Sequence, residues 1–169
     1  MGKDGADASR VWAEHVAEIA EAIRSLPVTV RNDLAPLLRE ARRLKTELQQ
    51  VPDGVSAGDI CARCGGECCR TGRYHVTVTD ILAYLDDGLD PPVPPFTTGF
   101  CPYLSVAGCI FPPAYRPFNC ITFNCDRIEG LLAPSVQAAF CGGVDALRAV
   151  SRSIASLLAG RMRLGILLD

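Results

Sequence analysis

Eight cysteines fall between Cys61 and Cys125 of this 169-residue chain, and no other feature limits its fold so strongly. A core accepts a few thiols as small apolar groups, but so many in one segment need a shared purpose. The first block reads Cys61-Ala62-Arg63-Cys64-Gly65-Gly66-Glu67-Cys68-Cys69. Two residues between cysteines let both sulfurs reach one ion across a tight turn, the spacing of structural zinc knuckles. Gly65 and Gly66 follow where the backbone has to bend, and turning amides help to hold thiolate charge. Cys68 and Cys69 project in different directions from extended backbone, so they can serve two metals or divide between ligation and packing. One knuckle is at most half of a tetrahedral site. Cys101, Cys109, Cys120 and Cys125 supply the rest. Eight thiols suffice for two four-sulfur sites, for one iron–sulfur cluster with spares, or for a two-metal cluster, and spacing does not choose among these.

Redox compartment decides between metal and disulfides. The first 26 residues carry Lys3, Asp4, Asp7, Arg10, Glu14, Glu18, Glu21 and Arg24, unlike the apolar run of a secretory signal. No stretch reaches the length of a membrane span. The expected location is the reducing cytoplasm, where disulfides do not persist. The formal net charge is -2 with no large block of one sign, so neither nucleic acid nor membrane is an expected partner. The expected partner is a metal ion; the sequence points to no protein partner.

The chain reads as one domain over residues 1–169 in three parts, with 49% apolar and 21% charged residues as in soluble globular proteins. Residues 8–50 form a helical hairpin. Val11, Trp12, Val16, Ile19, Ile23 and Leu26 make one apolar stripe, and Pro27 ends that helix. Leu34, Leu37, Leu38, Ala41, Leu44 and Leu48 make a second stripe, with Asn32 as N-cap and Pro36 near the helix start. Residues 51–59, with Pro52, Gly54 and Gly58, form a linker.

Residues 60–127 form the cysteine-cluster module. It contains a strand over Tyr74 to Val78, a brief helix capped by Thr79 and closed by Gly88, and a stiff loop at Pro91, Pro92, Pro94 and Pro95. A hairpin follows between Phe100 and Phe111, turning at Ala107-Gly108. Residues 128–169 return to helix, where Val144, Leu147, Val150, Ile154, Leu157 and Leu158 form a stripe after a break at Gly142-Gly143. The tail from Arg161, with Leu164, Ile166, Leu167 and Leu168, packs back on the body. The expected class is mainly α with a small irregular α+β cysteine-rich metal-binding module, helical N- and C-terminal segments packing around it.

Four thiolates on a zinc ion, or on an oxidised four-cysteine cluster, leave a formal charge of about -2 that needs nearby cations or amides. Arg63, Arg70 and Arg73 flank the first block and Arg116 and Arg127 the second. Arg116 suits either this task or bonds to hairpin carbonyls. His75 could replace a sulfur on zinc or be an ordinary strand residue. Cys141 and His15 read as packing residues and Trp12 as an anchor between helices. Asp86, Asp87 and Asp90 read as a solvated face.

The string Cys61-x2-Cys64-x3-Cys68-Cys69, then Cys101-Pro102-Tyr103-Leu104, Cys109-Ile110-Phe111 and Arg116-Pro117-x2-Cys120, resembles the CxxCxxCC, or YkgJ-type, cysteine-cluster family. That family is regarded as a zinc- or iron-chelating domain. The resemblance covers roughly residues 60–127 and implies chelation by these cysteines, with no substrate. Pro112 to Tyr115 is longer than the family usual, and Ile121 stands where an arginine is frequent, which sets Cys125 apart from the other seven. A similar block occurs in flagellin lysine methylases, but nothing else here suggests a methyl-donor site.

The expected function is metal binding, as zinc or an iron–sulfur cluster, through Cys61, Cys64, Cys68, Cys69, Cys101, Cys109, Cys120 and Cys125. The alternatives are an iron–sulfur redox protein or oxidoreductase component, and a disulfide or thiol scaffold without metal. No phosphate loop, nucleophile elbow or His-Glu-x2-His helix is present, so no catalytic residue is assigned. If the chain is an enzyme, an iron–sulfur oxidoreductase is the leading expectation.

Overall fold

The Val11-to-Leu26 stripe and the charges around it form an amphipathic helix, α1 (Lys3–Ser25), which stops ahead of Pro27 as expected. This computed structural model describes residues 3–64, 67–68, 75–94, 101, 103–105 and 108–165. The expectations placed on Gly65, Gly66, Cys69, Arg70, Arg73, Tyr74, Pro95, Phe100, Ala107 and residues 166–168 lie outside the described residues.

Pro27 caps a second helix, α2 (Val28–Asp53), and its carbonyl accepts from the Arg31 N–H at 3.1 Å. The helix therefore starts before Asn32, which is not the cap, and Pro36 lies inside it. Proline there removes only the bond to the Asn32 carbonyl, a loss that burial of Val30, Leu34, Leu38, Ala41, Leu44 and Leu48 outweighs. The linker shrinks in consequence, because α2 runs on through Pro52 and α3 (Ala57–Cys64) begins directly after.

The remaining elements are α4 (Val78–Asp86), the strands β1 (Leu104–Ser105) and β2 (Gly108–Cys109), a 3-10 turn at Pro113–Tyr115, α5 (Phe118–Thr122), α6 (Asp126–Glu129) and α7 (Pro134–Leu158). The fold is mainly helical. β1 and β2 pair antiparallel with Leu104 opposite Cys109 and Ser105 opposite Gly108, so Gly108 belongs to a strand and not to the turn. Thr77, not Thr79, caps α4. The Asp80 carboxylate takes the Thr77 N–H at 3.0 Å and its hydroxyl at 2.9 Å, a reciprocal cap that occupies the end of the expected strand. Gly88, at φ +68°, closes the far end as expected.

Two pairings differ from the expected hairpin of helices. The chief partner of α2 is α7, while α1 packs on α4. The expected break at Gly142-Gly143 is absent, because α7 runs through both glycines. A Cβ on Gly143 would stand 2.9 Å from Leu48 Cδ2, so the missing side chain is what lets α7 approach α2. The unbroken helix turns Phe140, Leu147, Ile154 and Leu158 inward and leaves Cys141 exposed, which corrects its reading as a packing residue. Met162 and Leu164 pack on the core, and the Gly165 carbonyl accepts from the Val78 N–H at 3.1 Å, so this part of the tail does return to the body.

The cysteine segment contributes to the core itself. Trp12 is 1% exposed and meets Tyr103 at 5.8 Å between ring centroids. Tyr103 meets Phe111 at 5.0 Å, Phe111 meets Tyr84 at 6.0 Å, and Tyr84 stacks on Tyr115 at 4.1 Å. This aromatic chain joins α1 to α4 through the hairpin, and such tilted and stacked pairs contribute about 0.5–1.5 kcal/mol each beyond burial. Trp12 is thus an anchor on the hairpin rather than only between helices.

Two charged contacts lock α2 to α4. Lys45 reaches Asp80 at 2.8 Å with both side chains under a tenth exposed. Arg42 donates to the Ala83 carbonyl at 3.0 Å and pairs with Asp86 at 3.0 Å and Asp87 at 2.9 Å. A guanidinium at a helix C-terminus meets both the free carbonyls and the negative end of the dipole. Asp86 and Asp87 are therefore ion-pair partners, with Asp86 half-buried, while Asp87 and Asp90 are exposed as expected.

Candidate metal centre

In α3, Cys61 and Cys64 are three residues apart and so share one side of the last helical turn. The Cys64 Sγ lies 3.4 Å from the Cys61 carbonyl oxygen. Cys68 follows as an exposed thiol. The partner of this first block comes from the far end of the segment. Cys125 stands immediately before α6, and its carbonyl accepts from the N–H groups of Ile128 at 2.8 Å and Glu129 at 2.9 Å. With its backbone fixed in this way and α3 packed against α6, Cys125 comes within electrostatic reach of Cys61.

The electrostatics of Cys61 record that convergence. Burial pushes its thiol pKa up, and Cys68, Cys64 and Cys125 push it further, because each added thiolate repels the next. Arg116 alone acts in the opposite direction on Cys61 among these groups. Arg116 also donates from Nε to the Phe111 carbonyl at 3.2 Å, so both expected tasks fall to it. Arg63 and Arg127 are exposed.

The other cysteines occupy different surroundings. Cys101 is 7% exposed in the core, and Cys109 is half-buried in β2 within electrostatic reach of Tyr84. Cys120, in α5, is exposed and has its Sγ 3.1 Å from Nδ1 of His75. Burial pushes the His75 imidazole pKa down, which favours the neutral ring. Among the described residues, no group of three or more His, Cys, Asp or Glu side chains is drawn close enough to hold an ion as it stands.

The donor set suits a metal in chemical kind. Cys61, Cys64, Cys68 and Cys125 are soft thiol donors sharing one neighbourhood, with a cation beside them. Asn124, next to Cys125, is 7% exposed, and its amide nitrogen is buried with no hydrogen-bond partner among the described residues. An unused buried N–H costs about 1–3 kcal/mol, and an anionic metal–thiolate group is a natural acceptor for one.

Sequence reading placed all four thiols in the candidate set, yet it set Cys125 apart, and it attached no significance to Asn124 or Gln49. Gln49 accepts from Arg116 at 2.6 Å and itself donates to Asp53 at 2.7 Å. Neither residue belongs to a motif, and only the fold brings Gln49 to the cysteine segment. No family model matches the chain, and neither a curated protein nor a solved structure matches it. Among the described residues, no helix is long and apolar enough to cross a membrane.

Proposed function

We propose that this chain is a metal-binding protein of the reducing cytoplasm that holds zinc or an iron–sulfur cluster, with Cys61, Cys64, Cys68 and Cys125 as its central thiolate donors. The observation that carries this reading is the convergence of Cys125 with the first cysteine block, on elements far apart in sequence. A thiol such as Cys61, whose pKa burial and its neighbours raise, ionises readily once a cation binds, because the metal replaces that repulsion with attraction. Arg116 offsets part of the remaining negative charge, and Asn124, the residue before Cys125, has a buried amide nitrogen, without a partner among the described residues, that could serve as a donor. Residues 60–127 form an irregular cysteine-rich module whose loops the metal ties together. Cys69, Cys101, Cys109 and Cys120 complete the pool of donors. When bound, zinc would contribute charge and cross-linking, and an iron–sulfur cluster would add electron transfer.

The test is elemental analysis of protein purified without oxygen. Brown protein containing iron and sulfide identifies a cluster, and colourless protein with stoichiometric zinc identifies the simpler centre. Cys125→Ser loses metal in either case. Protein with no metal and its thiols consumed as disulfides would refute the reading.

A further inference from the structure

His75 and Cys120 are brought together by the fold in a way the cysteine motif does not require. His75 lies directly before Val76, which is fully buried, and Thr77, which caps α4. Cys120 lies directly before the buried Ile121, in a helix opened by the fully buried Pro117. Both backbones are therefore anchored by neighbours in the core, while the imidazole and the thiol meet at the surface, Nδ1 to Sγ at 3.1 Å. That contact joins positions 45 residues apart in sequence.

We propose that His75 is a nitrogen ligand that binds one zinc ion together with Cys120, making the donor set a mixed nitrogen–sulfur one. This rests on the reading of the chain as a metal binder. Zinc–sulfur bonds of about 2.3 Å and zinc–nitrogen bonds of about 2.0–2.1 Å at a tetrahedral angle set two such ligands about 3.5 Å apart. The observed contact is a few tenths of an ångström shorter, and a small rotation of the exposed Cys120 side chain opens it to that separation. A histidine among the donors matches the three-cysteine, one-histidine and two-cysteine, two-histidine sets typical of structural zinc. Two donors are half of a tetrahedral set, and the remaining cysteines of the same segment are the supply for the rest.

The experiment uses the full-length chain, stripped with a chelator under reducing conditions and titrated with cobalt(II), then with zinc in competition. Far-ultraviolet circular dichroism checks that each variant keeps its helices. His75→Ala is expected to weaken zinc binding by at least about 100-fold, the upper end of the loss caused by removing an outer-shell partner alone. It also shifts the visible ligand-field bands of the cobalt form. His75→Cys, which returns a donor to the same place, restores affinity and strengthens the thiolate-to-cobalt charge-transfer band. Wild-type affinity and unchanged cobalt bands in His75→Ala would overturn the assignment while leaving the metal centre intact. A wild-type chain that takes up neither cobalt nor zinc overturns this assignment along with the zinc form of the centre, and iron with sulfide in protein prepared without oxygen then separates a cluster from no metal at all.

Discussion

Arg116 donates from Nη1 to Oε1 of Gln49 at 2.6 Å, which ties the C-terminal half of α2 to the hairpin that carries Cys109. The same guanidinium donates to the Phe111 carbonyl and lowers the pKa of the Cys61 thiol. A single planar fork thus serves both the packing of the cysteine segment and the charge of its first block.

Arg116→Ala separates these tasks from the rest of the fold. It leaves the Gln49 and Phe111 acceptors without their donor, and stability in chemical denaturation should fall by about 1–3 kcal/mol. The Cys61 thiol loses a cation that opposes the rise in its pKa, so alkylation of Cys61 in metal-free protein at neutral pH slows. Arg116→Lys keeps the charge but not the fork. It should preserve the alkylation rate while still losing stability; equal loss of both properties would show that charge and packing are not separable at this residue.

Gly142 and Gly143 occupy neighbouring positions of α7 in unlike surroundings. A Cβ on Gly142 meets nothing within 4 Å, whereas one on Gly143 lies 2.9 Å from Leu48 Cδ2. Gly142→Ala should therefore raise stability by about 0.5–1 kcal/mol through helix propensity alone. Gly143→Ala has the same propensity gain but crowds a buried leucine, and should be less stable than Gly142→Ala by about 1–3 kcal/mol. Thermal melts that rank the two variants equally would remove the close approach of α2 and α7 as the reason for Gly143.

The amphipathic stripes of α1, α2 and α7 were legible in sequence because a helical period shows directly in which side chains are apolar. Their partners were not. A stripe states that a face is buried without naming what buries it, so the pairing of α2 with α7 had to come from the fold. Pro36 and the two glycines misled for a related reason: local propensity argues against helix at each, and tertiary packing overrides it. Within the candidate site, CxxC spacing made Cys61 and Cys64 visible, but their meeting with Cys125 depends on the contact of α3 with α6. The aromatic chain from Trp12 through Tyr103 to Tyr115 was hidden for the same reason, and it shows that residues 60–127 carry part of the core instead of merely leaning on it.

Cys101 and Cys125 test that distinction directly. Cys101 is buried in the same core cluster as the aromatic chain, while Cys125 is half-buried within electrostatic reach of Cys61. Cys101→Ser puts a hydroxyl into an apolar site and should cost about 1–3 kcal/mol of stability in metal-free protein. Cys125→Ser should cost metal-free protein much less and remove most of the bound metal. Metal analysis and denaturation of both variants together check the assignment, and the reverse pattern would exchange the roles of the two cysteines.

Tyr84 supplies a pH signature of the core. Its hydroxyl is buried with no hydrogen-bond partner among the described residues, and its ring lies between Phe111 and Tyr115. Burial pushes its pKa well above the ordinary 10.0, and Tyr115, Cys109 and Asp80 push the same way by repelling a phenolate. Above pH 10.0 the unfolded chain releases this proton while the folded chain retains it, so the folded state binds more protons and stability must fall as pH rises. One such group contributes a slope of up to about 1.4 kcal/mol per pH unit. Tyr84→Phe keeps the ring contacts and deletes the orphaned hydroxyl. At neutral pH it should match or exceed wild-type stability by about 1 kcal/mol, and above pH 10.0 its advantage should widen. Denaturation midpoints of the two metal-free proteins across that range measure the difference, in which the ionisation of the cysteines largely cancels. Parallel losses of stability in wild type and variant would mean that Tyr84 ionises in place, and that the aromatic chain is open to water.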